Sequence, residues 1–227
     1  MTTRHEFLAQ LHELLQPKTY LEIGVQHGWS LQLSRADRSY GIDPNPQSGA
    51  YDAARRNGAT IFKQTSDDFF AGHETIDMVP IDFAFIDGMH LVEYALRDFA
   101  NIERYAHERS VIVFDDVLPT TVEMAAREQC PGDWTGDVWR VYDILRERRP
   151  DLVLILVDTQ PTGLLVVLKP DPVMGPIIMD AYERRWCEPD QFFATYSQID
   201  LHQAVLDRRH ALDPDLAFEQ ITRWRNR

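Results

Sequence analysis

Two unbroken apolar runs, Phe83-Ala84-Phe85-Ile86 and Val111-Ile112-Val113-Phe114, each end abruptly in carboxylates: Asp87 after the first, Asp115-Asp116 after the second. Alternation would leave one face of each strand in water; a continuous run predicts a central parallel strand covered by helices on both faces. Ligands of open α/β sheets bind outside the carboxyl ends of the strands, so acids at that edge point to a site. Gly88 allows a sharp turn, and His90 follows Asp87 by three residues. Leu91 to Tyr105, with Leu91, Ala95, Phe99 and Ile102 on one stripe and a Glu93–Arg97 i, i+4 pair, predicts the helix that returns the chain between the two strands. Neighbouring strands lie about 4.8 Å apart, so Asp87 is expected to converge with Asp115 or Asp116.

Three carboxylates at adjacent strand ends repel one another unless a cation sits among them. Hard oxygen donors with room for waters suit Mg²⁺ or Mn²⁺; the His/Cys cluster that zinc prefers is missing from the sequence. Asp87, Asp115 and Asp116 are therefore the expected metal ligands. His90, beside them, is the expected general base, since an imidazole takes up a proton near neutral pH.

The rest of the chain fits this frame. Thr3 to Leu15 predicts a packing helix, with Phe7, Leu8, Leu11, Leu14 and Leu15 inward and Arg4, Glu6 and Glu13 on the other side. Thr19 to Gly24 predicts the first strand. It leads through a glycine turn, Gly24-Val25-Gln26-His27-Gly28-Trp29-Ser30, into an expected helix, where backbone amides can approach a ligand. The spacing of Gly24 and Gly28 is not G-x-G-x-x-G, which disfavours a dinucleotide site and a nicotinamide oxidoreductase. A second strand, Ser39 to Ile42, ends at Asp43, where a ribose diol is usually gripped. A third, Ala59 to Lys63, precedes Thr65-Ser66-Asp67-Asp68, a helix start. Val117 to Trp139 leaves the acidic strand end and is placed to wall a substrate pocket with Trp134, Asp137 and Trp139; equally, Asp137 caps a helix and Trp139 packs in the core. Leu152 to Val157 and Leu164 to Leu168 are joined by too short a link for anything but an antiparallel hairpin. From Pro170 onward the chain reads as a helical appendage, amphipathic around Ile177 to Trp186, that covers the sheet or mediates self-association.

At 227 residues the chain suits one α/β domain with an extra segment. Its formal charge of −13 argues against nucleic acid and anionic membranes as partners. No stretch approaches the roughly 20 apolar residues of a membrane span. No secretory plan opens the chain, so a cytoplasmic protein is expected. Cys130 and Cys187 stand in neither metal nor redox spacing and read as ordinary thiols.

Together, Leu21-Glu22-Ile23-Gly24-Val25 with Gly28, Gly41-Ile42-Asp43-Pro44, Thr65-Ser66-Asp67 and the closing hairpin resemble class I S-adenosylmethionine-dependent methyltransferases over about Thr19 to Lys169. Phe85-Ile86-Asp87-Gly88-Met89-His90 and Val113-Phe114-Asp115-Asp116 look like the metal-dependent O-methyltransferases, including the group of antibiotic-sugar and rhamnosyl methyltransferases and cephalosporin hydroxylase. The resemblance implies a Rossmann-like α/β fold: a seven-stranded, mostly parallel sheet closed by an antiparallel hairpin, helices on both faces. It divides the chain into an N-terminal helix (1–18), a cofactor-binding catalytic domain (19–169) and a helical appendage (170–227). It also implies that Glu22, Gly24, Val25, His27, Gly28 and Ser30 surround the methionine end of S-adenosylmethionine. Asp43 would bind its ribose, Ser66 and Asp67 would lie near adenine, and Asp87 would border the cofactor as well as the metal.

The catechol and caffeoyl-CoA enzymes carry a lysine where His90 stands and an Asn where Asp116 stands, which turns the expectation towards sugar hydroxyls. The acceptor is then a small molecule or oligosaccharide and the protein a homodimer or higher homo-oligomer. The rival expectations are a catechol-like or polyketide phenol as acceptor, or a cofactor-binding partner protein without turnover.

Overall fold

The computed structural model describes residues 1–72, 80–175 and 208–227. Its centre is a seven-stranded sheet made of β1 (Thr19–Ile23), β2 (Arg38–Ile42), β3 (Thr60–Phe62), β4 (Phe83–Ile86), β5 (Val111–Phe114), β6 (Val153–Val157) and β7 (Leu164–Leu168). The strand order is β3-β2-β1-β4-β5-β7-β6. The first five strands run parallel; β7 pairs antiparallel with both β5 and β6. The chain reverses direction across the sheet between β1 and β4, and a cleft opens at such a switch point beyond the strand ends.

The unbroken apolar runs occupy the middle, as their lack of alternation requires. All four residues of β4 and of β5 are buried. Ala84, Ile86, Ile112 and Phe114 face one layer of helices, α3 (Ser66–Ala71), α4 (Val92–Glu103) and α5 (Arg140–Arg148). Phe83, Phe85, Val111 and Val113 face the other, where Phe7, Leu8, Leu11 and Leu15 of α1 (Arg4–Leu15) meet Ala217 and Ile221 of α6 (Pro214–Arg225). Ala50 of α2 (Ser48–Asn57) joins that second core.

Two local expectations fail. No α-helix follows the glycine turn: Leu31–Leu33 makes one 3₁₀ turn and the chain re-enters the sheet at Arg38. Leu31 and Leu33 are two residues apart, so they cannot share a helical face, and α1 shares the second core with Leu31 instead. The Glu93–Arg97 pair also does not form. Glu93 accepts both guanidinium nitrogens of Arg127 (2.7 and 3.0 Å), and Arg97 grips Asp67 (2.7 and 3.1 Å). The amphipathic stretch around Ile177 to Trp186 lies outside the described residues. Among the described residues no helix is long and apolar enough to cross a membrane.

α1 is nucleated by its own sequence. The Thr3 hydroxyl accepts from Glu6 N, and the Glu6 carboxylate accepts from Thr3 N at 2.7 Å, a reciprocal capping box. Arg4 N donates to Gln160 O (2.9 Å) and Gln160 N to Thr2 O (3.0 Å). These bonds pin the start of α1 to the β6–β7 turn, and the side chain of Arg4 is thereby carried over the end of β5.

Candidate active site

A cavity of about 860 Å³ opens beyond the carboxyl ends of β1, β2, β4 and β5. Gly24, Val25, His27, Ser30, Asp43, Ser66, Asp67, Asp87, His90, Asp116 and Trp134 all line it.

Its floor depends on two tight approaches. Gly24 has φ +86°, and a Cβ there would fall 1.8 Å from the carbonyl oxygen of Asp87. Only glycine lets the β1 turn lie against the end of β4. Gly136, at φ +55°, lies as close to His90: a Cβ would stand 1.6 Å from its carbonyl oxygen. Gly28 does not reach the cavity. It packs on α2, where a Cβ would stand 2.7 Å from Ala50 Cα.

Glu22 also does not line the cavity. It is fully buried behind the turn, with Tyr20 Oη donating to Oε2 (2.7 Å) and Ser30 Oγ to Oε1 (2.6 Å). Burial raises its pKa to about 8 against the lowering effect of those hydroxyls, so it is a neutral acid that braces the loop. Asp43 is set in place by backbone amides, accepting from Gln26 N (2.7 Å) and Asn45 N (2.6 Å). Thr65 caps α3 by accepting from Asp68 N, and the ion pair with Arg97 holds Asp67.

Asp87, His90 and Asp116 each offer a ligand atom within 4.8 Å of the others. Asp116 reaches this position through a left-handed backbone, φ +62°, that Asp tolerates better than most residues. His90 Nδ1 is 2.6 Å from Trp134 O and 3.2 Å from Asp116 Oδ2, and Nε2 is 3.6 Å from Asp87 Oδ1. A carbonyl only accepts, so Nδ1 carries a proton and Nε2 faces the site. The imidazole stacks on the Trp134 ring at 5.3 Å. Burial alone would lower the His90 pKa; the nearby Asp87 and Asp116 carboxylates, with the bond to the Trp134 carbonyl, outweigh it and raise it to about 9. Burial and the Asp87 charge, opposed by His90, raise Asp116 to about 6.

Asp115 does not join this trio. Its carboxylate pairs with the Arg4 guanidinium, accepts from Asp116 N (2.9 Å), and accepts from Thr162 Oγ1 (3.3 Å). Both acids lie just beyond β5, where the left-handed backbone of Asp116 turns its carboxylate to His90 while Asp115 is held by Arg4. Asp137 and Trp139 do not wall the cavity either. Asp137 caps α4, accepting from Val92 N (2.9 Å), and pairs with Arg127 (2.8 Å); Trp139 is buried in the core with Nε1 towards Ala125 O (3.4 Å). The capping and packing alternative holds, except that Asp137 caps the helix of another element.

Arg4 and His5 line the cavity from α1, and Trp29 and Met89, each 57% exposed, stand at its rim. Hydrophobic spacing alone put Arg4 on the outer side of α1. The capping box was the available signal, because it makes Arg4 the first helical residue, the one nearest the strand ends.

Residues 21–117 match the family model described as a methyltransferase domain. The seven-stranded sheet with its antiparallel hairpin is the Rossmann-like fold of the methyltransferases. Among solved structures similar to this domain is the O-methyltransferase TomG from Streptomyces achromogenes, involved in tomaymycin synthesis and bound to S-adenosylmethionine. It is 20% identical with TM-score 0.56, over 74% of this chain and 80% of that one. Cofactor-bound Rv0187 from MTB is 20% identical with TM-score 0.59 over the same shares. An O-methyltransferase from Bacillus cereus in complex with SAH is 16% identical with TM-score 0.55, over 73% and 80%. At these identities the likeness is one of fold. No curated protein matches the chain. The span that the family model matches contains the glycine turn, Asp43, Asp67, Asp87, His90 and both acids after β5.

Proposed function

We propose that this domain transfers the methyl group of S-adenosylmethionine to a hydroxyl of a saccharide or glycosylated metabolite, a metal-assisted O-methyltransferase. The observation that carries this reading is the meeting of Asp87, His90 and Asp116 at the inner end of the cleft. The O-methyltransferases among the structural neighbours support it. Gly24 to Ser30 would surround the methionine portion, Asp43 the ribose and Ser66 with Asp67 the adenine.

The donor set fits a divalent ion, since Mg²⁺ is commonly held by one or two carboxylates together with waters and substrate oxygens. Asp87 and Asp116 would hold it. When bound, such an ion would supply Lewis acidity that lowers the pKa of an acceptor hydroxyl. An ion at Asp87 and Asp116 would offset the charges that hold His90 protonated, and Nε2 could then take the hydroxyl proton while Nδ1 stays bonded to Trp134 O, which fixes the ring. The oxygen attacks the methyl carbon in line; the new O–CH₃ bond forms as the S–CH₃ bond breaks, and S-adenosylhomocysteine leaves. Alignment within the cleft is the main source of rate.

The test follows methylation of a panel of glycosides and catechols by mass spectrometry, with and without a chelator. His90→Ala is expected to lower kcat by about 10²-fold or more with cofactor affinity nearly retained. Unchanged turnover in that variant would remove His90 as the base. A phenol is the second reading, favoured by the exposed Trp29 at the rim, on which a flat ring can stack. Its greater acidity would make turnover depend less on His90.

A further inference from the structure

Arg4 stands in the acidic centre rather than on the surface. Its guanidinium pairs with Asp115, whose side chain is 1% exposed, and lies 3.8 Å from Asp87 Oδ2. It arrives there because the capping box starts α1 at Arg4 and two backbone bonds to Gln160 anchor that start. Asp115, Asp116 and Asp87 together raise the Arg4 pKa although burial by itself would lower it. Three carboxylates therefore share one permanent cation built into the chain. Asp115, which also accepts from Asp116 N and Thr162 Oγ1, has its oxygens engaged.

We propose that Arg4 is a tethered cation of the reaction centre, which neutralises Asp115 and so limits the divalent-ion site to Asp87 and Asp116. This rests on the metal-assisted reading of the same site. A guanidinium is always charged and its planar fork suits a carboxylate, so this compensation does not vary with pH or with metal supply. It also sets the strength of the site. An added positive charge a few ångströms from Asp87 opposes a second cation, so the ion is held loosely and exchanges easily.

The experiment is titration of Mn²⁺ into the full chain, followed by the electron paramagnetic resonance of free Mn²⁺, without cofactor or acceptor. Because no methyl transfer is read, failure here is distinct from failure of the O-methyltransferase assignment. Arg4→Met should tighten Mn²⁺ binding by about tenfold or more, as Asp115 joins the ligands and a cation is lost. Asp115→Asn added to Arg4→Met should reverse that gain. Asp115→Asn alone should weaken binding, because the released guanidinium turns to Asp87; this arm carries the test if Arg4→Met does not fold. Mn²⁺ affinity that is unchanged or weaker in Arg4→Met, absent in both proteins, or unchanged in Asp115→Asn would overturn the proposal.

Discussion

Gly24 and Gly136 act from opposite sides of the cleft, one against the Asp87 carbonyl and the other against that of His90. Their role is close approach as well as left-handed backbone, and the two can be separated. Gly58, at φ +76°, has open space around it, so Gly58→Ala is expected to cost about 1 kcal/mol through its backbone alone. Gly24→Ala must also displace the Asp87 backbone, and chemical denaturation should find it several-fold more costly, with methyl transfer lost. Similar midpoints for the two variants would contradict this. Glu22 makes a second prediction. Its folded pKa, about 8, lies above its ordinary 4.5, so the folded state binds the extra proton between those values. Stability from this group is full below about pH 4.5 and is lost as pH rises through 8. Glu22→Gln keeps a neutral partner for Tyr20 and Ser30. Unfolding measured from pH 5 to 9 should therefore show a shallower alkaline decline in the variant than in the parent.

Between elements, the connection from β5 to α5 is held down by charge. Arg127 joins Glu93 on α4 to Asp137, and Asp137 supplies the cap that α4 lacks in its own Leu91. The same stretch brings Trp134 over His90, so helix stability and the geometry of the proposed base are linked. Asp137→Ala should cost about 1–3 kcal/mol from the lost cap and the half-compensated guanidinium. It should also lower kcat, because the Trp134 carbonyl no longer fixes Nδ1. A variant destabilised in thermal melts but with unaltered kcat would separate the clamp from the site. Local sequence could not reveal this clamp. A cap from 45 residues away leaves no short-range pattern, and Glu93 with Arg97 offered a plausible local pair that each residue forsakes for a distant partner.

Across the molecule, one buried ion pair joins the ends of distant segments. Arg149, closing α5, is fully buried with Glu103 at the end of α4 (2.7 and 2.8 Å), also binds Asp151 ahead of β6 (2.7 Å), and Glu103 accepts from Asp171 N beyond β7 (2.9 Å). Removing one partner strands the other charge, so Arg149→Ala should cost about 3–5 kcal/mol. Arg149→Met with Glu103→Leu should recover much of that, since an apolar pair of similar volume leaves no buried charge. The measurement is urea unfolding of both variants. A single variant as stable as the parent would mean that water reaches Glu103.

The strand runs, the antiparallel closing hairpin and the edge at which the acids lie were legible in the sequence. Continuous apolarity, a short link and chain direction are local properties, and burial of the runs leaves few alternatives. Convergence of β4 and β5 was legible for the same reason: a returning helix makes the strands neighbours. What tertiary structure alone decided is which acid goes where. Two adjacent residues follow β5, and Asp116 turns to His90 while Asp115 meets Arg4, a residue 111 positions earlier in the chain. Helical periodicity could only read Arg4 as polar and hence outward. A charge is stable inward when opposite charges wait there, and those charges exist only once the sheet has formed.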